Sequence, residues 1–163
     1  DSKNQPWSVL VGTNKLATVD SKTMTLTEFE LPRKNARPRR IEITEDDSVW
    51  YVDFAGGFLG RFEPSTSSFK EWPMPSGKQS FPYGMALDSS GRIWIAETGQ
   101  SPNKMVVFDT NSLTFTSSTD IPSGGSIRHM YFHPKTEQIW FGVDTGYISR
   151  IGFKASVTNN ELK

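Results

Sequence analysis

Four tryptophans, Trp7, Trp50, Trp94 and Trp140, recur at intervals of 43, 44 and 46 residues, and this restricts the fold more tightly than anything else in the chain. A second apolar column follows them. Leu16, Leu59, Met105 and Ile148 lie 9, 9, 11 and 8 residues beyond their respective tryptophans. Asp20, Glu63 and Asp109 open the turn-like segments VDSKT, FEPST and FDTNS, and Pro32, Pro75 and Pro122 close FELP, WPMP and DIP. Self-similarity at a period near 45 residues marks units that bury their apolar faces only by stacking on one another.

Each unit reads as four short strands. In the best-formed unit they run from Arg39 to Thr44, Val49 to Asp53, Leu59 to Glu63 and Phe69 to Trp72, separated by the turn segments DDS, AGG and PSTSS. No window sustains a 3.6-residue period, so helix is expected only as single turns. Four antiparallel strands per repeat of this length form a β-propeller blade. The predicted fold is therefore all-β, a β-propeller with about three and a half blades over residues 1–153, followed by a C-terminal tail or outer strand over 154–163. The tryptophans are expected to pack between blades. Terminal blades without neighbours would leave sheet edges and apolar faces open, so the remaining blades of a ring, or a second chain, are expected partners.

Composition narrows the function classes. The 163 residues carry 18 basic and 18 acidic side chains, so no net field draws the chain to nucleic acid or an anionic membrane. The segment LPRKNARPRR is strongly basic but lacks an aromatic platform, and no nucleic-acid partner is expected. No apolar run approaches the ~18 residues of a membrane span, and the polar opening DSKNQP is unlike a signal peptide. A soluble chain with no membrane partner is expected, in the cytoplasm or exported. The absence of cysteine excludes disulfides, thiolate metal sites and a cysteine nucleophile.

The motifs PYGMALDSSGRIWIAE, NKLATVD, FLGRFEPST and KEWPMP together resemble the streptogramin B (virginiamycin B) lyase family of propellers, from about Trp7 to Gly152. The resemblance implies a closed ring of six or seven blades, of which this chain matches roughly half. It also implies a magnesium-dependent elimination that opens a cyclic depsipeptide at its ester. The family's catalytic groups are histidines after the proline of x-P-H-[GA]-I, a glutamate before one such proline, and a glutamate shortly after a blade tryptophan. Here Arg39, Tyr83 and Arg128 occupy the histidine column, Arg37, Phe81 and Ser126 precede it, and only Glu97 fits a glutamate column.

Antiparallel pairing puts the start of each innermost strand beside the end of the second strand, so Arg39 with Asp53, Tyr83 with Glu97, and Arg128 with Val143 are expected to share one rim. That rim collects Arg33, Lys34, Arg37, Arg39, Arg40, Lys78, Lys104 and Arg128 against Asp53, Glu97, Asp120 and Asp144. Turn chemistry explains the acidic opposite end, but it asks for no arginines here. Two functions follow. In the first, a lyase or lactonase acts on a cyclic ester, with Glu97 and Tyr83 as catalytic-site residues and magnesium as cofactor by resemblance. In the second, a non-catalytic propeller binds a small anionic ligand or a protein partner through Arg37, Arg39, Arg128 and Asp53. Glu97 and Asp53 are otherwise expected in inter-blade salt bridges. His129, one residue out of the family column, is expected between blades, His133 in a turn, and the loop ETGQSPNK as a lid.

Overall fold

The computed structural model describes residues 1–122 and 124–153, and the expected tail or outer strand over 154–163 lies outside them. Among the described residues fourteen strands follow in chain order. The first blade holds β1 (Trp7–Leu10), β2 (Lys15–Val19) and β3 (Leu26–Glu30), and the second β4 (Pro38–Ile43), β5 (Val49–Asp53), β6 (Phe58–Glu63) and β7 (Ser68–Pro73). The third holds β8 (Pro82–Leu87), β9 (Arg92–Glu97), β10 (Asn103–Asp109) and β11 (Thr114–Ile121), and the fourth β12 (Ile127–His133), β13 (Gln138–Val143) and β14 (Tyr147–Ile151). Each forms its own antiparallel meander, with strands hydrogen-bonded in chain order. The helical content among described residues is one short 3-10 turn, Gly77–Ser80. Among the described residues no helix is long and apolar enough to cross a membrane.

Three apolar cores lie between consecutive blades. Leu16, Val49, Tyr51 and Phe62 fill the first, Trp50, Leu59, Ile95 and Phe108 the second, and Trp94, Met105, Ile127 and Phe141 the third. Trp50 and Trp94 are almost fully buried in these cores, as the repeat required. Burial of an indole leaves its N–H in need of an acceptor. The chain supplies one six residues upstream: Asp1 Oδ2 for Trp7 at 3.0 Å, Thr44 Oγ1 for Trp50 at 3.2 Å and Asp88 Oδ2 for Trp94 at 2.8 Å.

The innermost strands β4, β8 and β12 touch in succession and carry the feature that shapes the site. Pairing with the second strand begins at Pro38↔Asp53, Pro82↔Glu97 and Ile127↔Val143, then skips to Ile41↔Tyr51, Met85↔Ile95 and Met130↔Phe141. Two residues of each inner strand therefore oppose one of its partner, the definition of a β-bulge. The extra pairs are Arg39–Arg40, Tyr83–Gly84 and Arg128–His129. Pro38 and Pro82 fit at the first position of an innermost strand, where their missing N–H costs no central ladder bond.

Candidate functional site

The three bulges lie at one end of the inner strands, and their side chains meet. Around the Tyr83 ring, the guanidinium carbons of Arg39, Arg40 and Arg128 sit 5.1, 5.3 and 5.9 Å from the centroid. Phe54 lies edge-on to Tyr83 at 5.8 Å, stacks on Phe81 at 5.2 Å, and takes Arg39 over its face at 5.0 Å. Arg39, Tyr83 and Arg128 thus converge on one opening, from three different blades. The one-residue offset caused by the bulge puts Pro38, rather than Arg39, opposite Asp53.

Three guanidinium groups around one phenol repel each other unless something offsets their charge. Aromatic faces provide part of that offset, about 0.5–2 kcal/mol for each cation over a ring. Backbone carbonyls provide more: Arg40 donates from Nε to the Arg128 carbonyl at 2.8 Å and from Nη1 to the Arg39 carbonyl at 3.3 Å. Its Nη2 donates to His129 Nε2 at 2.9 Å, joining the second blade to the fourth. His129 is accordingly exposed at the opening and not between blades, because the bulge turns two successive residues toward the opening. Carboxylates contribute little. Among the described residues neither Arg39 nor Arg40 has an acidic partner, and Arg128 meets Asp144 only at 3.7 Å. The Arg39 Nε is buried and lacks a hydrogen-bond partner.

The rim carboxylates do not form the expected inter-blade salt bridges. Asp53 is fully buried, and its Oδ1 accepts the backbone N–H groups of Arg37, Ala55 and Gly56 at 3.0–3.1 Å. Arg37 therefore contributes its backbone here, while its side chain is exposed. Glu97 is also fully buried, and both its oxygens bind Ser76: Oε1 accepts the backbone N–H at 3.0 Å and Oε2 the hydroxyl at 2.5 Å. Ser76 belongs to the connection from the second blade, so Glu97 ties neighbouring blades by hydrogen bonds. A buried carboxylate is satisfied by fixed N–H groups without the cost of desolvating an arginine beside it. In the fourth blade Asp144 Oδ1 likewise accepts the Ser126 N–H at 2.7 Å.

Magnesium does not fit these residues. It takes one or two free carboxylates with water, whereas Glu97 has both oxygens bound to Ser76, Asp53 has Oδ1 held by three N–H groups with only its buried Oδ2 unpaired, and the opening is lined by cations. No group of three or more metal-ligating side chains occurs among the described residues.

The long loop after β9 is pinned down, contrary to a lid. Thr98 and Gly99 donate backbone N–H groups to the carbonyls of Phe81 and Ser80, and Gln100 Nε2 donates to that of Gln79 at 2.9 Å. Gly99 is required there, since a Cβ would collide with the Gln79 carbonyl. His133 is in register with Gln138 at the far end of β12 and bonds Thr136 in the following turn. A cleft of about 500 Å³ on the site rim is lined by Arg33, Lys34, Gly56 and Lys78. Arg33 is paired with Glu71 at 2.7 Å and lies over Phe58.

No family model and no curated protein matches the chain. Solved structures do. A streptogramin B lyase structure superimposes with a TM-score of 0.72 at 19% identity, covering 94% of this chain and 52% of that one. Virginiamycin B lyase from Staphylococcus aureus gives a TM-score of 0.73 at 20% identity, with 96% and 54% covered. Hydrazine synthase from Kuenenia stuttgartiensis gives 0.78 at 17% identity, with 91% and 42% covered. The shared property is the propeller fold, and this chain spans about half the length of the lyase chains.

Proposed function

We propose that this propeller-fold chain is a binding scaffold that takes a small oxyanion, a carboxylate or phosphate group, at the mouth of its central channel. Arg39 and Arg128 grip the anion through guanidinium N–H groups, and Tyr83 offers its phenol. One observation supports this above all: three guanidinium groups converge within 6 Å of one ring, with a single acidic contact, at 3.7 Å, among the described residues. Arg40 directs three of its five N–H groups to Arg128, Arg39 and His129, which leaves Arg39 and Arg128 the less engaged pair to meet a ligand. An anion at ~4 Å from one guanidinium gains on the order of 4 kcal/mol at an effective dielectric near 20, before desolvation. Two such groups make binding of a small oxyanion favourable.

The elimination of a cyclic ester, which the family resemblance suggests, ranks second. It needs a base at the opening, where Glu97 has both oxygens bound to Ser76 and the His129 Nε2 is engaged by Arg40. Equilibrium titration with inorganic phosphate and with acetate tests the proposal. Arg39→Ala and Arg128→Ala should each weaken binding at least ~10-fold, the loss of one charge-assisted contact. Unchanged affinity for both anions refutes it, and metal-dependent opening of a cyclic depsipeptide would place elimination first.

A further inference from the structure

The cleft of about 500 Å³ on the site rim is separate from the arginine cluster, and Arg39, Arg40 and Arg128 do not line it. Its walls come from three segments: 33–36 between the first and second blades, 53–58 within the second, and 73–78 toward the third. Each wall is fixed by a side chain bonded to backbone. Asn14 Nδ2 donates to the Arg33 carbonyl at 2.8 Å, Asp53 Oδ1 accepts the Ala55 and Gly56 N–H groups, and Glu97 Oε1 accepts that of Ser76. The second and third walls meet backbone to backbone, since a Cβ on Gly57 would collide with the Gly77 carbonyl. A cleft of this volume with fixed walls suits a small ligand.

Two features of the lining point to the chemistry of that ligand. Asp53 is fully buried, and while its Oδ1 accepts three N–H groups, its Oδ2 has no hydrogen-bond partner. Buried polar atoms are as a rule paired, so this oxygen is an acceptor with a bond still to make. It is enclosed beside Gly56, where a Cβ would collide with it and only glycine fits. The second feature is charge. Lys34 and Lys78 line the cleft with no acidic partner among the described residues, whereas Arg33 is committed to Glu71 at 2.7 Å.

We propose that this cleft binds a small hydroxylated anion, a polyol phosphate or a hydroxy acid, with its anionic group held by Lys34 and Lys78 and a hydroxyl donating to Asp53 Oδ2. Charge decides the class. Two unpaired lysines against one carboxylate leave the lining cationic, and lysine holds a phosphate or carboxylate as a point charge. The same lysines repel an ammonium, so the donor that meets Oδ2 is neutral. A hydroxyl is the neutral donor small enough for an oxygen so enclosed, and its transfer from water is offset by the charge-assisted bond it makes.

Amide proton–nitrogen NMR of the chain, titrated separately with glycerol 3-phosphate and with glycerate, tests this. The Gly56, Gly57 and Gly77 signals should shift and saturate with at least one of the two, and the tighter binder identifies the anionic group. That anion should bind about 10-fold or more tightly than glycerol, which lacks the charge, and than sulfate, which lacks the hydroxyl. Lys34→Ala and Lys78→Ala should each weaken it about 10-fold. Asp53→Asn keeps an oxygen for the three N–H groups and should erase the preference over sulfate. Arg39→Ala should leave the glycine shifts unchanged, which distinguishes this cleft from the channel mouth. Silence of all three glycines at millimolar ligand overturns the proposal, as does a preference that survives Asp53→Asn. Sulfate binding as tightly as both hydroxylated anions also overturns it, and that comparison needs only the wild-type chain, so it decides even if Asp53→Asn does not fold.

Discussion

Ser76→Ala removes one of the two donors that hold the Glu97 carboxylate. The lost bond is a 2.5 Å hydroxyl-to-carboxylate contact, and the acceptor belongs to a fully buried residue that water cannot rescue. A hydrogen bond to a charged group contributes about 1.5–3 kcal/mol, and a buried oxygen left without its donor puts the cost toward the upper end. Urea denaturation followed by tryptophan fluorescence reads it directly. With a slope near ~2 kcal/mol/M the midpoint should fall by about 1 M. Glu97→Ala should cost at least as much, and the double variant should cost less than the sum, because both changes remove the same bond. Phosphate affinity should not change with Ser76→Ala, as the bonds of the Ser76 hydroxyl and N–H go to Glu97 and to none of the arginines. A destabilisation below ~0.5 kcal/mol, the range of ordinary surface changes, would refute the view that Glu97 is a clamp between blades.

Three further outcomes follow. Burial pushes the Glu42 carboxyl up to about 7, opposed by a hydrogen bond from the Leu87 backbone. The native state then holds a proton that the unfolded chain releases from 4.5 upward. Stability should fall as pH rises from about 4.5 to 7 and stay level above, and Glu42→Gln should remove this slope and gain up to about 3 kcal/mol at pH 8. Urea midpoints at pH 5 and pH 8 check it. Gly84→Ala places a Cβ 2.8 Å from Met130 Sδ and 2.9 Å from the Ile127 carbonyl, which should cost about 1–3 kcal/mol, read as a lower Tm. Asp88→Ala strips the acceptor from Arg92 Nε and from the Trp94 indole, at about 3 kcal/mol in denaturant titration.

The scaffold was legible because tryptophan spacing and turn chemistry are local properties. The placement of Arg39, Tyr83 and Arg128 at one opening was legible for the same reason, since antiparallel connectivity alone fixes which strand ends meet. The bulges were not. A bulge is a mismatch between two strands, invisible in either one, and so His129 was expected between blades and Arg40 was placed on the rim without its contact to the Tyr83 ring. Phe54 was missed because it follows the strand end and looks like a turn residue. In place of the salt bridges expected of Asp53 and Glu97 stand backbone N–H groups, joined at Glu97 by the Ser76 hydroxyl, and a backbone donor is carried by every non-proline residue and marked by no motif. The acceptors at Asp1, Thr44 and Asp88 could have been found: each stands six residues before a tryptophan, and Pro134 at the fourth place cannot serve.

The sharpest test of an anion site at the bulges is nuclear magnetic resonance of arginine side chains during titration with inorganic phosphate. The Nε–Hε signals of Arg39 and Arg128 should shift together and saturate with one affinity, while those of Arg61 and Arg150 on the blade faces stay in place. Equal small shifts at all four arginines, or none at Arg39, would contradict the account.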